Sequence, residues 1–443
     1  MASPARPTVK KFGPALSVIA ALGTAALLAG SPALASSGRS ILEVDVTHQP
    51  AYKHGQPAVA VNPRNPRNLV FTSTVFQPSP GLLPAGGCFL AYSSDGGTTW
   101  TQVPWPLGDR PLCGESNLAV DSHGTFYILN NQVSGDLSVD LTNHVVVSRS
   151  TDGGRTWTGP VTTPLLLSGA PKLRVDAATG KVYAVGGAAW EYPSAVSVSS
   201  DHGQTWTSPQ VIPGPMPCIE VAPGETPCGY PGREIAVYDE ILVSASQQAG
   251  GNVMFYDSRD DGKTWTTTTV TSSKGVPVPA GTGDLVPVPA LGAADDPVPW
   301  VSADPTHRGR FAVMVPRGSD LEVYVTSDSG KTWTGPAVID ATDADRPWFD
   351  FGSNGVLGLM WRTTTGNAYS AVSFDHGRSF SAPLRVNAVT EPAGQYGPPG
   401  DRWSDITVAG GFAYVTWSDG RDGAPLDGIF AKVPLWLYRH SGS

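Results

Sequence analysis

The chain has 443 residues, with 29 Lys and Arg against 38 Asp and Glu, and a formal net charge of -9. So acidic a balance has no general attraction for nucleic acid or anionic membrane surfaces, and neither is expected as a partner. Gly (51) and Pro (41) are plentiful, as many short strands and tight turns require, and no helical apolar period stands out beyond the N-terminal segment.

That segment carries Arg6, Lys10 and Lys11, then an apolar run over residues 15–28, then Ala33-Leu34-Ala35. The order of charge, apolar run and small residues is that of a secretory signal peptide, with cleavage expected after Ala35. The run is short for a membrane span, and position 31 is Ser where a lipoprotein signal needs Cys. A secreted protein without a membrane span is expected. Residues 1–35 contain no acid, so losing their three cations takes the formal charge from -9 to -12.

Residues 41–46 (ILEVDV) alternate apolar and polar side chains and read as a strand. Residues 93–100 read SSDGGTTW, and the octet returns as STDGGRTW from Ser150, SSDHGQTW from Ser199, SRDDGKTW from Ser258, TSDSGKTW from Thr326 and SFDHGRSF from Ser373. In the pattern Ser-x-Asp-x-Gly-x-Thr-Trp, the Ser and Asp oxygens can accept from turn amides, Gly can take a positive φ, and Trp can pin the turn to a sheet. Each octet lies between apolar strands, as after residues 88–92 and 145–147, so it is expected to be a hairpin turn whose Asp holds the loop and does no chemistry.

Aligned on the octets, the chain repeats a unit of three strands, octet and fourth strand. The first unit covers residues 58–61, 69–75, 88–92 and 101–104. Later units begin at Asn117, Lys172, Arg233, Trp300 and Trp348, and a seventh, without an octet, begins at Trp403 and takes residues 428–433 as its third strand. The six octets resemble the Asp box, or bacterial neuraminidase repeat, of the sialidase superfamily. That resemblance implies an all-β fold, a β-propeller of four-stranded antiparallel blades. The repeats favour seven blades; six blades with an irregular end is the alternative, because sialidases of the family are six-bladed. Residues 41–46 would close the ring as the fourth strand of the last blade and so remove exposed edges. The expected organisation is a signal peptide over residues 1–35 and one propeller domain over residues 36–443.

Four Cys in an exported chain argue for two disulfides over a metal site. Cys218 and Cys228 share one Pro-rich loop, while Cys88 begins a third strand and Cys113 begins the next repeat, places that a propeller brings to one face. The expected pairs are Cys88 with Cys113 and Cys218 with Cys228, against two other connectivities.

In a propeller the turns between third and fourth strands lie on one face, and the loops that lead into the innermost strands lie on the other. The octets therefore mark the face away from the site. Converging on the channel mouth are His54 and Gln56; Glu115; Lys172; Arg233 and Glu234; Asp295, Asp296 and Trp300; Asp345, Arg346 and Trp348; Asp401, Arg402 and Trp403. Trp190, Glu191 and Tyr192 add to this face, and the connectors over residues 213–232 and 271–299 would fold over it as walls or lids. The Asp- and Gly-rich residues 418–427 read as a turn in preference to a calcium loop, so no metal and no cofactor is expected. Stacked Trp and paired Arg suit a sugar or carboxylate pocket; inter-blade salt bridges, with Arg346 on Asp345 and Arg402 on Asp401, are the alternative.

Resemblance to sialidases also implies a mechanism in which three Arg hold the substrate carboxylate, a Tyr activated by Glu attacks the anomeric carbon, and an Asp acts as acid and base. Arg233, Arg346 and Arg402 stand at equivalent places in three repeats. Tyr230 near Glu234, or Tyr396, would be the nucleophile; Asp295 or Asp296 the acid; Trp348, Trp403 and Glu115 would line the substrate. The Arg-Ile-Pro signature of the family is absent, and residues 54–61 read HGQPAVAV in its place. The expected function is that of a secreted, monomeric, exo-acting glycoside hydrolase of exo-α-sialidase type, taking acidic, sialic-acid-like glycans or another small anionic ligand. A non-catalytic glycan- or protein-binding propeller is the alternative. Intact-mass analysis of secreted material after alkylation is expected to show a chain beginning at Ser36 with no alkylated thiol; alkylation at Cys218 and Cys228 would contradict the disulfide assignment.

Overall fold

A computed structural model describes residues 41–49, 52–76, 87–106, 112–133, 144–166, 171–187, 193–214, 229–230, 234–248, 252–271, 299–341, 344–392, 404–421 and 426–440. The fold is an all-β propeller built of antiparallel four-stranded meanders. The first meander is Lys53–Val61, Leu69–Phe76, Gly87–Ser93 and Thr101–Gln102, and the second is Leu112–Val120, Phe126–Val133, His144–Ser150 and Val161–Leu166. The third is Lys172–Val175, Val182–Gly187, Ser194–Ser199 and Gln210–Val211. In the fourth, Gly229–Tyr230 and Ile235–Tyr238 share the inner edge of Ile241–Gln248, followed by Val253–Ser258 and Thr266–Thr271. The fifth is Trp300–Ala303, Phe311–Arg317, Asp320–Thr326 and Thr334–Asp340, and the sixth is Ala344–Phe351, Leu357–Thr363, Ala368–Ser373 and Leu384–Arg385.

The last meander, Ser404–Ala409, Phe412–Asp419 and Asp427–Pro434, takes its outer strand from the other end of the chain. Leu42–Asp45 pairs with it antiparallel, Leu42 opposite Lys432 and Asp45 opposite Ile429. The described residues thus hold seven meanders, and their inner strands neighbour one another in chain order, the last returning to the first. A single pair, Gly187 opposite Leu166, joins the second and third meanders into one continuous sheet. Among the described residues, no helix is long and apolar enough to cross a membrane.

Each octet is a turn locked by its own side chains. Ser93 Oγ accepts the Gly97 N–H (2.9 Å) and donates to Asp95 Oδ1 (2.9 Å), while Thr99 donates its N–H to Oδ1 (2.9 Å) and its hydroxyl to Oδ2 (2.6 Å). The same bonds recur around Asp152, Asp201, Asp260, Asp328 and Asp375. Burial works to raise the Asp95 carboxyl, yet the Thr99 and Ser93 bonds hold it below the usual carboxylate range. Gly97 has φ of 91°, and a Cβ there would lie 2.3 Å from the Phe430 ring of the preceding sheet. Gly330 meets Phe255 of its preceding sheet in the same way, at 2.7 Å. The octets therefore bind the six meanders that carry them each to the one before, and Trp100 completes the contact edge-on to Phe71 and Phe430.

The inner strands of the first, second and sixth meanders begin several residues earlier than the sequence alternation indicates. Each carries a bulge, between Gly55 and Ala58, Gly114 and Asn117, and Asp345 and Trp348, and the extra residue breaks the two-residue period that marks a strand. Asp95→Ala is expected to lower stability by about 1–3 kcal/mol, the cost of leaving turn amides without acceptors. Chemical denaturation measures this, and ligand binding at the opposite face should not change.

Candidate functional site

Octets share their face with the turns between first and second strands: Gly96 N–H donates to Arg67 O (2.8 Å), and Asn68 Nδ2 donates to Gly153 O (2.8 Å). The inner strands therefore start at the opposite face, where the three bulges lie. Gln56 and Glu115 both take φ of 52°, a strained conformation for a residue with a side chain. Thr74 ties these two bulges together, its hydroxyl accepting Glu115 N–H (3.0 Å) and donating to Gln56 Oε1 (2.8 Å). Asn131 Nδ2 in turn donates to Glu115 Oε2 (2.9 Å).

Below the bulges is an open cavity of about 50 Å³ whose wall includes Gln56, Glu115, Asn117, Lys172, Trp348 and Asp405, from five meanders. Beneath it the central channel, about 270 Å³, opens between the inner strands. Asn117, Trp348 and Asp405 border both spaces. They form the level at which mouth and channel meet.

This level is crowded with charge. Lys172 Nζ donates to Glu234 Oε1 (2.8 Å), and Arg174 Nη2 donates to Glu234 Oε2 (3.3 Å). Lys172 is 4% and Glu234 2% exposed, so each ion depends on the other for the solvation it has lost. Burial draws the Lys172 ammonium below the ordinary lysine range, with Glu234 opposing. The same ammonium stands 4.4 Å over the Trp348 ring and 5.2 Å over Trp300, whose rings meet edge-on at 4.5 Å.

Two carboxyls beside this cluster have no ion-pair partner in direct contact among the described residues. Asp350 accepts the Ser302 hydroxyl (2.7 Å), and Asp405 accepts Val59 N–H (3.0 Å). Burial pushes Asp350 above the carboxylate range, opposed by Arg174. Burial, with the Asp350 charge adding to it, pushes Asp405 up to about 6, against the Val59 bond and Arg174. Asp405 can therefore exchange a proton near neutral pH.

Of the residues expected at the site, Glu115, Glu234 and Trp348 are placed at this level, with Lys172 and Gln56 beside them. Tyr230 lies opposite Gln247 on the inner edge of its meander, and Arg346 lies in the bulge of the sixth inner strand; their side chains fall outside the described residues. Arg233, Asp295, Asp296, Arg402 and Trp403 also fall outside, as do Cys218, Cys228 and the Cys113 side chain. Cys88 takes part in a disulfide. Its pairing with Cys113 and that of Cys218 with Cys228 remain expectations.

Arg174, Asp350 and Asp405 were not legible as site residues. A signal was present: Lys172 with Arg174, and Trp348 with Asp350, are two apart on inner strands, so each pair faces the same way. A charge at such a position on an innermost strand points into the channel.

No family model matches this sequence, and no curated protein does. Among solved structures the chain is similar to YCF48 bound to D1 peptide, with a TM-score of 0.47, 13% identity, and coverage of 93% of this chain and 99% of that one. It is similar to Trypanosoma rangeli sialidase at a TM-score of 0.42 and 12% identity, covering 89% of this chain and 59% of the sialidase chain. It is also similar to Penicillium chrysogenum alpha-L-arabinanase complexed with arabinobiose, at 0.43 and 16%, covering 75% and 96%. At these identities the likeness is one of strand arrangement and brings no substrate with it.

Asp405 has a higher pKa folded than unfolded, so its ionisation costs stability. The cost is absent below about pH 4, the ordinary range for Asp, and complete above about 6. Asp405→Asn keeps an acceptor for Val59 N–H and removes the charge. Its melting temperature is expected to exceed that of the parent at pH 8 and to match it at pH 4, read by thermal scans at the two pH values.

Proposed function

We propose that this protein is a secreted, carbohydrate-active propeller of seven blades that takes an acidic sugar at the channel mouth and acts on it as an exo-acting glycoside hydrolase of sialidase type. The observation that carries the reading is the mouth cavity itself, where Lys172, Trp348, Glu115 and Asp405 from four meanders share one wall. An aromatic ring offers a sugar its apolar side and carboxyls offer acceptors and a proton, while Lys172, already paired with Glu234, leaves the substrate carboxylate to other cations. In this reading Arg233, Arg346 and Arg402 hold the substrate carboxylate, and Tyr230 is the nucleophile.

One observation favours the alternative, a non-catalytic glycan- or protein-binding propeller. Both oxygens of Glu234 are already engaged, one by Lys172 and one by Arg174, which makes it a poor base for activating Tyr230. Turnover separates the two readings.

Arg346→Lys and Arg402→Lys keep the charge and remove the planar fork. Each is expected to weaken binding and turnover of an aryl sialoside about tenfold or more, the loss of one charge-assisted pair worth about 1.5–3 kcal/mol, while leaving a neutral aryl glycoside unaffected. If acidic and neutral glycosides behave as with the parent, the Arg residues belong to inter-blade salt bridges and the sialidase reading falls.

A further inference from the structure

We propose that Asp405 is the group that gives the proton to the leaving oxygen at the channel mouth; this rests on the hydrolase reading and assigns to Asp405 the part otherwise expected of Asp295 or Asp296. Geometry distinguishes it from the other carboxyls of the cluster. Glu234 is clamped by Lys172 and Arg174 and does not border the mouth cavity. Asp350 borders the deep channel alone, held by the Ser302 hydroxyl and its neighbour's N–H. Glu115 borders the mouth but accepts from Asn131. Asp405 borders mouth and channel both, and among the described residues it makes no ion pair.

The charged groups around it come from three strands. Arg174 and Lys172 on the third inner strand favour its ionised form, Asp350 on the sixth opposes it, and Glu115 of the second shares its cavity wall. Enclosure and Asp350 prevail, so the carboxyl holds its proton to about pH 6. An acid poised there is matched to work near neutral pH. In the step, the Tyr230 oxygen bonds to the sugar carbon, its proton passing to Glu234, as the bond from that carbon to the leaving oxygen breaks and the proton passes from Asp405 to the leaving oxygen. Water then displaces the Tyr230 oxygen, which regains its proton, and returns a proton to the Asp405 carboxylate, so glycoside and water become sugar and alcohol.

The test uses the secreted protein and its Asp405→Asn variant on sialosides of graded leaving-group acidity, from 4-nitrophenyl through phenyl to methyl. Good leaving groups depart without a proton and poor ones do not. Read as kcat/KM, which reports the bond-breaking step, the variant is expected to stay within a few-fold of the parent on the 4-nitrophenyl substrate and to lose about 10²–10⁴-fold on the poor leaving groups. The limb of the parent's pH profile near 6 should vanish in the variant, while circular dichroism and melting confirm an intact fold. A loss equal across all leaving groups, or no loss, overturns the assignment and leaves the hydrolase reading standing. A parent that turns over none of the substrates overturns the hydrolase reading, and the assignment with it.

Discussion

Everything in this molecule depends on burying the broad faces of thin sheets. A four-stranded meander is apolar on both sides and cannot shelter either by itself. Here each sheet uses its neighbours: Ala58, Ala60, Val70 and Leu90 of the first pack against Leu118, Phe126 and Ile128 of the second. The seventh closes on the first through Phe430, Tyr414, Phe71 and Trp100. The strand Leu42–Asp45 ties the two ends of the chain into one sheet and so closes the ring.

Ring closure has a cost at its centre. Strands that converge must point alternate side chains at one another across a channel, and this chain places Lys172, Arg174, Glu234, Asp350 and Asp405 there. Taking ions out of water is unfavourable unless each finds a partner. Lys172, Arg174 and Glu234 satisfy one another, with the Trp348 and Trp300 rings helping to hold the ammonium. Asp350 and Asp405 lean on neutral donors, and their raised pKa values register that shortfall. Sites that retain such strain trade stability for reactivity.

The two faces of the ring divide their work. On the octet face, side chains are spent on holding turns and joining sheets, as where Asp261 accepts from Lys181 and Tyr183 of the preceding meander. On the mouth face, backbone bulges bring Gln56 and Glu115 into an unfavourable region of φ and set them on the cavity wall. A rigid face on one side allows an irregular one on the other, because the inner strands connecting them are pinned at the octet end.

Sequence alone determined the repeating unit. The octet's lock is local, since Ser93, Asp95, Gly97 and Thr99 bond within seven residues, and local bonds leave a sequence signature. The closing role of residues 41–46 was legible too, as an apolar alternation with no partner in its own repeat. Because the repeat fixes where each inner strand begins, the starts that carry Glu115, Glu234 and Trp348 were legible; Glu115 and Trp348 lie on the cavity wall, and Glu234 lies beside it, paired with Lys172. Tertiary structure decided the rest. That Glu234 pairs with Lys172, 62 positions away, and that Asp405 takes Val59 N–H, 346 positions away, are consequences of ring closure. No local pattern records which charges meet across a channel, because the meeting depends on the number and tilt of the sheets, and the proton affinity of Asp405 depends on that meeting.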